Sequence, residues 1–283
     1  MSTLDAISLI ASLEEAAKIL LSHPSRRGAS AWLPGRGTLI ATGDLHDNPY
    51  HLQRILDYAD LARGEDRFVV LHELIHGERL VNGMDFSYRM LARVAELVRR
   101  FPGQVHPMLA NHEIAQLTGR GVSKGAGNSV ELFSDAVEYS FGDDAGEVTE
   151  AIHAFIRAMP LAVRSESGLL CAHSLPGSMA MRDFDPSVLD RPLVEGDFHP
   201  PRGAAYAMTW GRDFTHANVT ALAQAWGVRL FCLGHRFVDA GIEVLFDNVI
   251  VLNSDHAQGR VLPIDLANLP AAAEAPLHVL PMA

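Results

Sequence analysis

Short apolar runs that stop abruptly at polar, ligand-type residues recur along the chain. Residues 38–42 run into Gly43-Asp44-Leu45-His46-Asp47, residues 68–71 into His72-Glu73, and residues 105–110 into Asn111-His112-Glu113. Residues 169–172 then run into His173, and residues 230–234 into His235. Runs of this length, rich in Val, Leu, Ile and Phe, predict buried strands. Between them apolar positions recur at helical spacing, which predicts helices over 49–62, 85–100, 129–139, 148–159 and 216–225. Near 7–21 the apolar stretch is interrupted by Glu14, Glu15 and Lys18, so it predicts an amphipathic helix rather than a membrane span. Residues 242–246 and 249–253 flank Asp247-Asn248 as a β-hairpin would, and 260–264 predicts one more strand. The glycine-rich stretch 119–127 reads as a mobile loop, and the Ala/Pro-rich stretch 270–283 as a tail without predicted structure.

Strands alternating with helices predict an α/β chain, and in such sheets the chemistry collects where strands end on their carboxyl side. Composition narrows the function classes. The 283 residues are 48% hydrophobic and 20% charged, which excludes disorder, collagen and coiled coil. With 23 Lys+Arg against 34 Asp+Glu the formal charge is −11, which argues against sequence-independent binding to nucleic acid. An anionic substrate therefore has to meet local positive charge, from metal or a few arginines. Only Cys171 and Cys232 are present, each inside an apolar run, so both read as core residues and a reducing cytoplasm is expected. The first residues lack the positive segment of a secretory leader, and no run of apolar residues is long enough for a membrane partner to be expected.

The 14 histidines change the picture, because those at strand ends keep company with carboxylates and an amide. Asp44, His46, Glu73, Asn111, His173 and His235 are nitrogen and oxygen donors suited to Mn, Fe or Zn. Their setting is specific. Gly43-Asp44-Leu45-His46, Asn111-His112-Glu113, Cys171-Ala172-His173 and Gly234-His235-Arg236 resemble the successive blocks of the calcineurin-like metallophosphoesterases, in their serine/threonine protein-phosphatase-like branch. The resemblance covers about 37–266. It implies two packed mixed β-sheets flanked by helices, a four-layer β-sandwich, with a helical insertion at about 115–160. Residues 1–36 are then a helical extension and 267–283 a tail.

Carried over residue by residue, the resemblance implies two divalent ions, the first on Asp44 and His46, the second on Asn111, His173 and His235, with Glu73 at the bridging position. A hydroxide between the ions would attack a phosphate ester, with His112 as the acid for the leaving oxygen. Arg212 and Arg202 are candidates for the phosphate clamp, and His256 stands where a residue over the site is expected. The second block departs from the pattern. Where the branch has Gly-Asp-x-x-Asp-Arg-Gly, this chain has His72-Glu73-Leu74-Ile75-His76-Gly77-Glu78. His76 replaces an aspartate and either shares the role of His112 or orients a metal ligand from outside, and Arg79 is the nearest replacement for the lost arginine. A phosphate ester is the implied substrate, with phosphoserine or phosphothreonine on a protein and a dinucleoside polyphosphate both open.

Two other readings follow from that block. His72-Glu73-x-x-His76 is also the zinc-metalloprotease pattern, which requires a helix through 68–79 and a third ligand such as Glu96. The β-branched run before it and Gly77 after it oppose a helix. The altered block also fits a phosphoesterase fold that binds metal without turnover.

Overall fold

The computed structural model describes residues 5–121 and 128–283, so residues 122–127 of the predicted loop 119–127 lie outside the described residues. The chain begins with α1 (Ala6–Ser22), β1 (Arg26–Arg27), β2 (Ser30–Leu33), β3 (Thr38–Ala41), α2 (Pro49–Ala59), β4 (Arg67–Leu71), α3 (Tyr88–Arg100) and β5 (Val105–Pro107). The middle is helical: α4 (Asn111–Thr118), α5 (Ser129–Phe141) and α6 (Ala145–Ala158) precede β6 (Ala162–Ser165) and β7 (Leu169–Ala172). Then come α7 (Ala204–Trp210), α8 (His216–Trp226), β8 (Leu230–Leu233), β9 (Ile242–Leu245), β10 (Val249–Leu252), β11 (Arg260–Asp265) and β12 (Leu280–Pro281).

The strands form two mixed sheets, of order β1-β2-β6-β7-β8-β10-β9 and β12-β11-β3-β4-β5, flanked by the helices. This is the α/β two-sheet architecture that the resemblance implies. Within the first sheet β7, β8 and β10 run parallel, and within the second β3, β4 and β5 do. Strands β3, β4, β7, β8 and β10 are almost wholly buried, as their unbroken apolar runs require. Cys171 and Cys232 sit opposite each other in the β7–β8 register and are core residues.

Helix ends follow local chemistry. Asp5 caps α1 by accepting from the Ser8 N–H at 2.9 Å, and α1 buries Leu9, Leu13, Ala16 and Leu20 on the side that meets α3 and α6. The Asn48 side chain accepts from the His51 N–H and Pro49 opens α2, which stops at Asp60 in the left-handed region, short of the predicted 62. Helix α3 starts at Tyr88 instead of Asp85, because the Asp85 carboxylate is occupied in the preceding loop.

Three features depart from the apolar pattern. Residues 26–33, inside the stretch read as a helical extension, supply β1 and β2 to the first sheet. The stretch 270–283, read as structureless, carries a 3-10 turn at Ala272–Leu277 and then β12, which pairs antiparallel with β11. Strand β5 ends at Pro107, three residues before the predicted 110.

Candidate metal centre

The carboxyl ends of the parallel strands in both sheets meet at one place. Asp44 follows β3 and forms parallel bridges to His72 after β4 and to Asn253 after β10, so it joins the two sheets at this edge. The loops after β3 and β4 lie side by side, with the N–H groups of His46 and Asp47 donating to the carbonyls of Glu73 and Leu74. His46, Asp47, Glu73, His76 and His235 all have φ between 44° and 67°. Left-handed backbone is costly for such residues, and a cluster of it marks a place where side-chain aim outweighs local comfort.

That aim brings the predicted ligands together. The Glu73 carboxylate stands between two groups of donors: Oε2 is 3.3 Å from His46 Nε2 and 3.9 Å from His173 Nε2, while Oε1 is 3.4 Å from His112 Nε2. Asp44 Oδ1 is 3.5 Å from His173 Nδ1 and accepts the backbone N–H of His235 at 2.9 Å. Residue 234 lies so close that a Cβ there would meet Asp44 Oδ1 and His72 Nδ1, which accounts for Gly234. Asn111 opens α4 without a side-chain cap before it, and its Oδ1 is 2.6 Å from His173 Nε2.

These contacts test whether a cation fits. His173 Nε2 faces both Asn111 Oδ1 and, at 3.1 Å, His235 Nδ1. Arg212 Nε–H donates to His235 Nε2 at 2.9 Å, which places the proton of a neutral His235 on Nδ1. His173 Nε2 must then accept from His235, and cannot also donate to the Asn111 oxygen. A cation held by the amide oxygen and the two ring nitrogens would remove that conflict, with the His235 proton moved to Nε2 and the Arg212 contact to it given up, and the donor set suits one. Burial keeps these rings neutral: it pushes His72 and His235 down to about 3, Arg212 adding to the effect on His235, and pushes His173 well below the usual histidine range with help from His235 and His72. Among the described residues, Asp44, His72 and His173 form one group of donor atoms within 4.8 Å of one another, and His46, Glu73 and His112 form another.

A cavity of about 560 Å³ opens on this cluster. Asp44, His46, Glu73, Asn111, His112 and His235 reach it, and so do Arg79, Arg212 and His256. His173 is buried, does not line the cavity, and touches Asn111 and His235, which do. His76 is buried deeper: Nδ1 is 2.8 Å from Asp85 Oδ2, and its ring centroid is 5.3 Å from that of His112. Arg202 is exposed and does not line the cavity, so the structure separates it from the other predicted residues. A Cβ at residue 77 would run into the His46 carbonyl; glycine is required there, and Arg79 is the arginine of this loop that reaches the cavity. Glu113 is the buried acceptor its position suggests, receiving the Leu74 N–H at 2.8 Å, while burial pushes its carboxyl up to about 7.

The protease arrangement is overturned. Residues 67–71 are a strand, and the left-handed φ at Glu73 and His76 forbids a helix through the motif. His72 faces Asp44 and His173, whereas His76 turns to Asp85. The proposed third ligand, Glu96, lies exposed on α3 in an ion pair with Arg99. Sequence reasoning missed His72 as a donor beside Asp44, Asp255, whose Oδ2 is 3.9 Å from His46 Nε2, and Asp85. The first two adjoin residues already singled out; Asp85 carried no signal, since its partner is nine positions away across a loop.

No protein-family model and no curated protein matches the sequence. Solved structures do match. A protein serine/threonine phosphatase from Saccharomyces cerevisiae, described as similar to human phosphatase PP5, superposes with a TM-score of 0.67 at 14% identity, over 93% of this chain and 83% of that one. A cold-active protein-tyrosine phosphatase from a psychrophilic Shewanella superposes at 0.57 with 17% identity, over 90% and 81%. A point mutant of a cold-active protein tyrosine phosphatase superposes equally, at 16% identity over 90% and 84%. At such identities the likeness speaks for architecture. The chain shares the two-sheet α/β fold of these phosphatase structures.

Proposed function

We propose that the protein is a dinuclear metal-dependent phosphoesterase that hydrolyses phosphate monoesters, with phosphoserine or phosphothreonine on a protein as one substrate that fits. The observation that carries this is the placing of Glu73: one buried carboxylate lies between His46 on one side and His173, with Asn111 and His235, on the other. Asp44, His46 and Glu73 would hold one ion, and Glu73, Asn111, His173 and His235 the other. Manganese, iron and zinc all suit these donors. Bound there, the ions supply Lewis acidity toward phosphate oxygens and a water of lowered pKa.

The chain's own groups do the rest. Arg212 and Arg79 line the cavity with planar forks suited to two phosphate oxygens. His112 stands at the cavity with Nε2 toward Glu73 and is the group placed to give a proton to the leaving oxygen. Behind it, Asp85 accepts from His76 Nδ1–H, and so holds the ring that packs against His112. His76 thus acts through His112 rather than on substrate. Glu113, bonded to the Leu74 N–H, braces α4 against the loop that carries Glu73.

Protein reconstituted with Mn is expected to hydrolyse p-nitrophenyl phosphate, to lose the activity to a chelator and to regain it with metal. Asp44→Asn and His173→Ala should each lower kcat/KM by roughly 10³-fold or more, the scale of the several kcal/mol that metal charge stabilisation supplies. Two bound ions without turnover would instead show an inactive metal-binding fold.

A further inference from the structure

One wall of the cavity is built differently from the rest. Phe237 lines it with 71% of its surface exposed, which leaves the phenyl face open to whatever occupies the cavity. Its ring centroid is 5.2 Å from that of His256, and the planes are tilted by 44°. Both nitrogens of His256 are engaged by backbone: Nε2 donates to the Val238 carbonyl at 3.0 Å, and Nδ1 accepts the Gln258 N–H at 3.2 Å. The imidazole therefore has no free nitrogen for a phosphate or a metal, and offers its face. Phe237 and His256 together make an aromatic shelf held on two separate loops.

The shelf lines the same cavity as the donors. Phe237 follows His235 by two residues, and His256 follows Asp255, whose carboxylate is 3.9 Å from His46 Nε2. Arg212 and Arg79 share the cavity, so positive charge and aromatic surface lie side by side. The pairing suits a dianionic phosphate borne directly on a ring.

We infer that Phe237 and His256 form a leaving-group subsite that selects aryl phosphate monoesters, the chemistry of a phosphotyrosine side chain, over alkyl ones. This rests on the phosphoesterase reading of the same site. Water then adds to phosphorus as the P–O(aryl) bond breaks, and its proton passes to the phenolic oxygen, giving a phenol and inorganic phosphate.

Calorimetric titration of the Mn-loaded protein with phenylphosphonate and methylphosphonate separates the two ideas. The wild type should bind phenylphosphonate about tenfold more tightly, the scale of one aromatic stacking contact with its buried area. Phe237→Ala should remove that preference and leave methylphosphonate unchanged, while Phe237→Tyr should keep it. Because Phe237 is exposed, the substitutions leave the core intact. Equal affinities in the wild type, or equal losses of both ligands in Phe237→Ala, would overturn the subsite. Binding of neither phosphonate to the metal-loaded wild type would overturn the phosphoesterase reading, and the subsite with it.

Discussion

Single residues here are governed by burial. His106, on β5 away from the donor cluster, is buried and donates from Nε2 to the Gly103 carbonyl at 3.0 Å. Burial, with His23 and Arg26 nearby, pushes it down to about 4. An unfolded histidine titrates near 6.5, so between those values the unfolded chain binds the extra proton. Stability is therefore full above about 6.5 and falls as pH drops toward 4, with this residue contributing at most roughly 3 kcal/mol of the loss. His106→Gln removes the titration. Urea unfolding of wild type and variant from pH 7.5 to 4.5 should show the difference between them shrink, or change sign, in the variant's favour on the acid side; a pH-independent difference would refute it. At the same scale, Gly77 shows how one atom redistributes roles. The His46 carbonyl leaves no room for a side chain at 77, so the arginine that a substrate would meet on this loop has to come two residues later.

Elements are held by how each buries one face. Helix α1 lies against α3 and α6, with Leu13 wholly buried and Ile7 82% exposed on the same helix. Leu13→Ala should cost about 3 kcal/mol through the cavity it leaves, whereas Ile7→Ala should stay within about 0.5 kcal/mol. Chemical denaturation of the two variants measures both, and equal effects would show that α1 does not contribute to the core in this way. This is also the scale at which the sequence was most legible. Strands β3, β4, β7, β8 and β10 announce themselves because each is a buried apolar run ending at a ligand-type residue. The donors after them were legible for the same reason. Strands β1 and β12 were not: a two-residue strand has no period, and its identity comes from the strand it pairs with. Asp85 and Phe237 were hidden likewise, since a carboxylate turned inward by His76 and a phenyl ring left at a cavity mouth look ordinary in a list of residues.

The whole molecule brings two sheets to one edge. Parallel β3-β4-β5 deliver Asp44, His46, Glu73 and Asn111, and parallel β7-β8-β10 deliver His173, His235 and Asn253. Neither sheet alone supplies a complete donor set, and Asp44, bridged to both His72 and Asn253, holds the two halves in register. Among the described residues no helix is long and apolar enough to cross a membrane. The acidic balance of the chain, −11, does not oppose a phosphate ligand once cations sit at this edge and two arginines face the same cavity. The most direct measurement is anomalous diffraction from crystals grown with manganese. The account predicts two peaks, one among Asp44, His46 and Glu73 and one among Glu73, Asn111, His173 and His235. A single peak, or none at this edge, would contradict it.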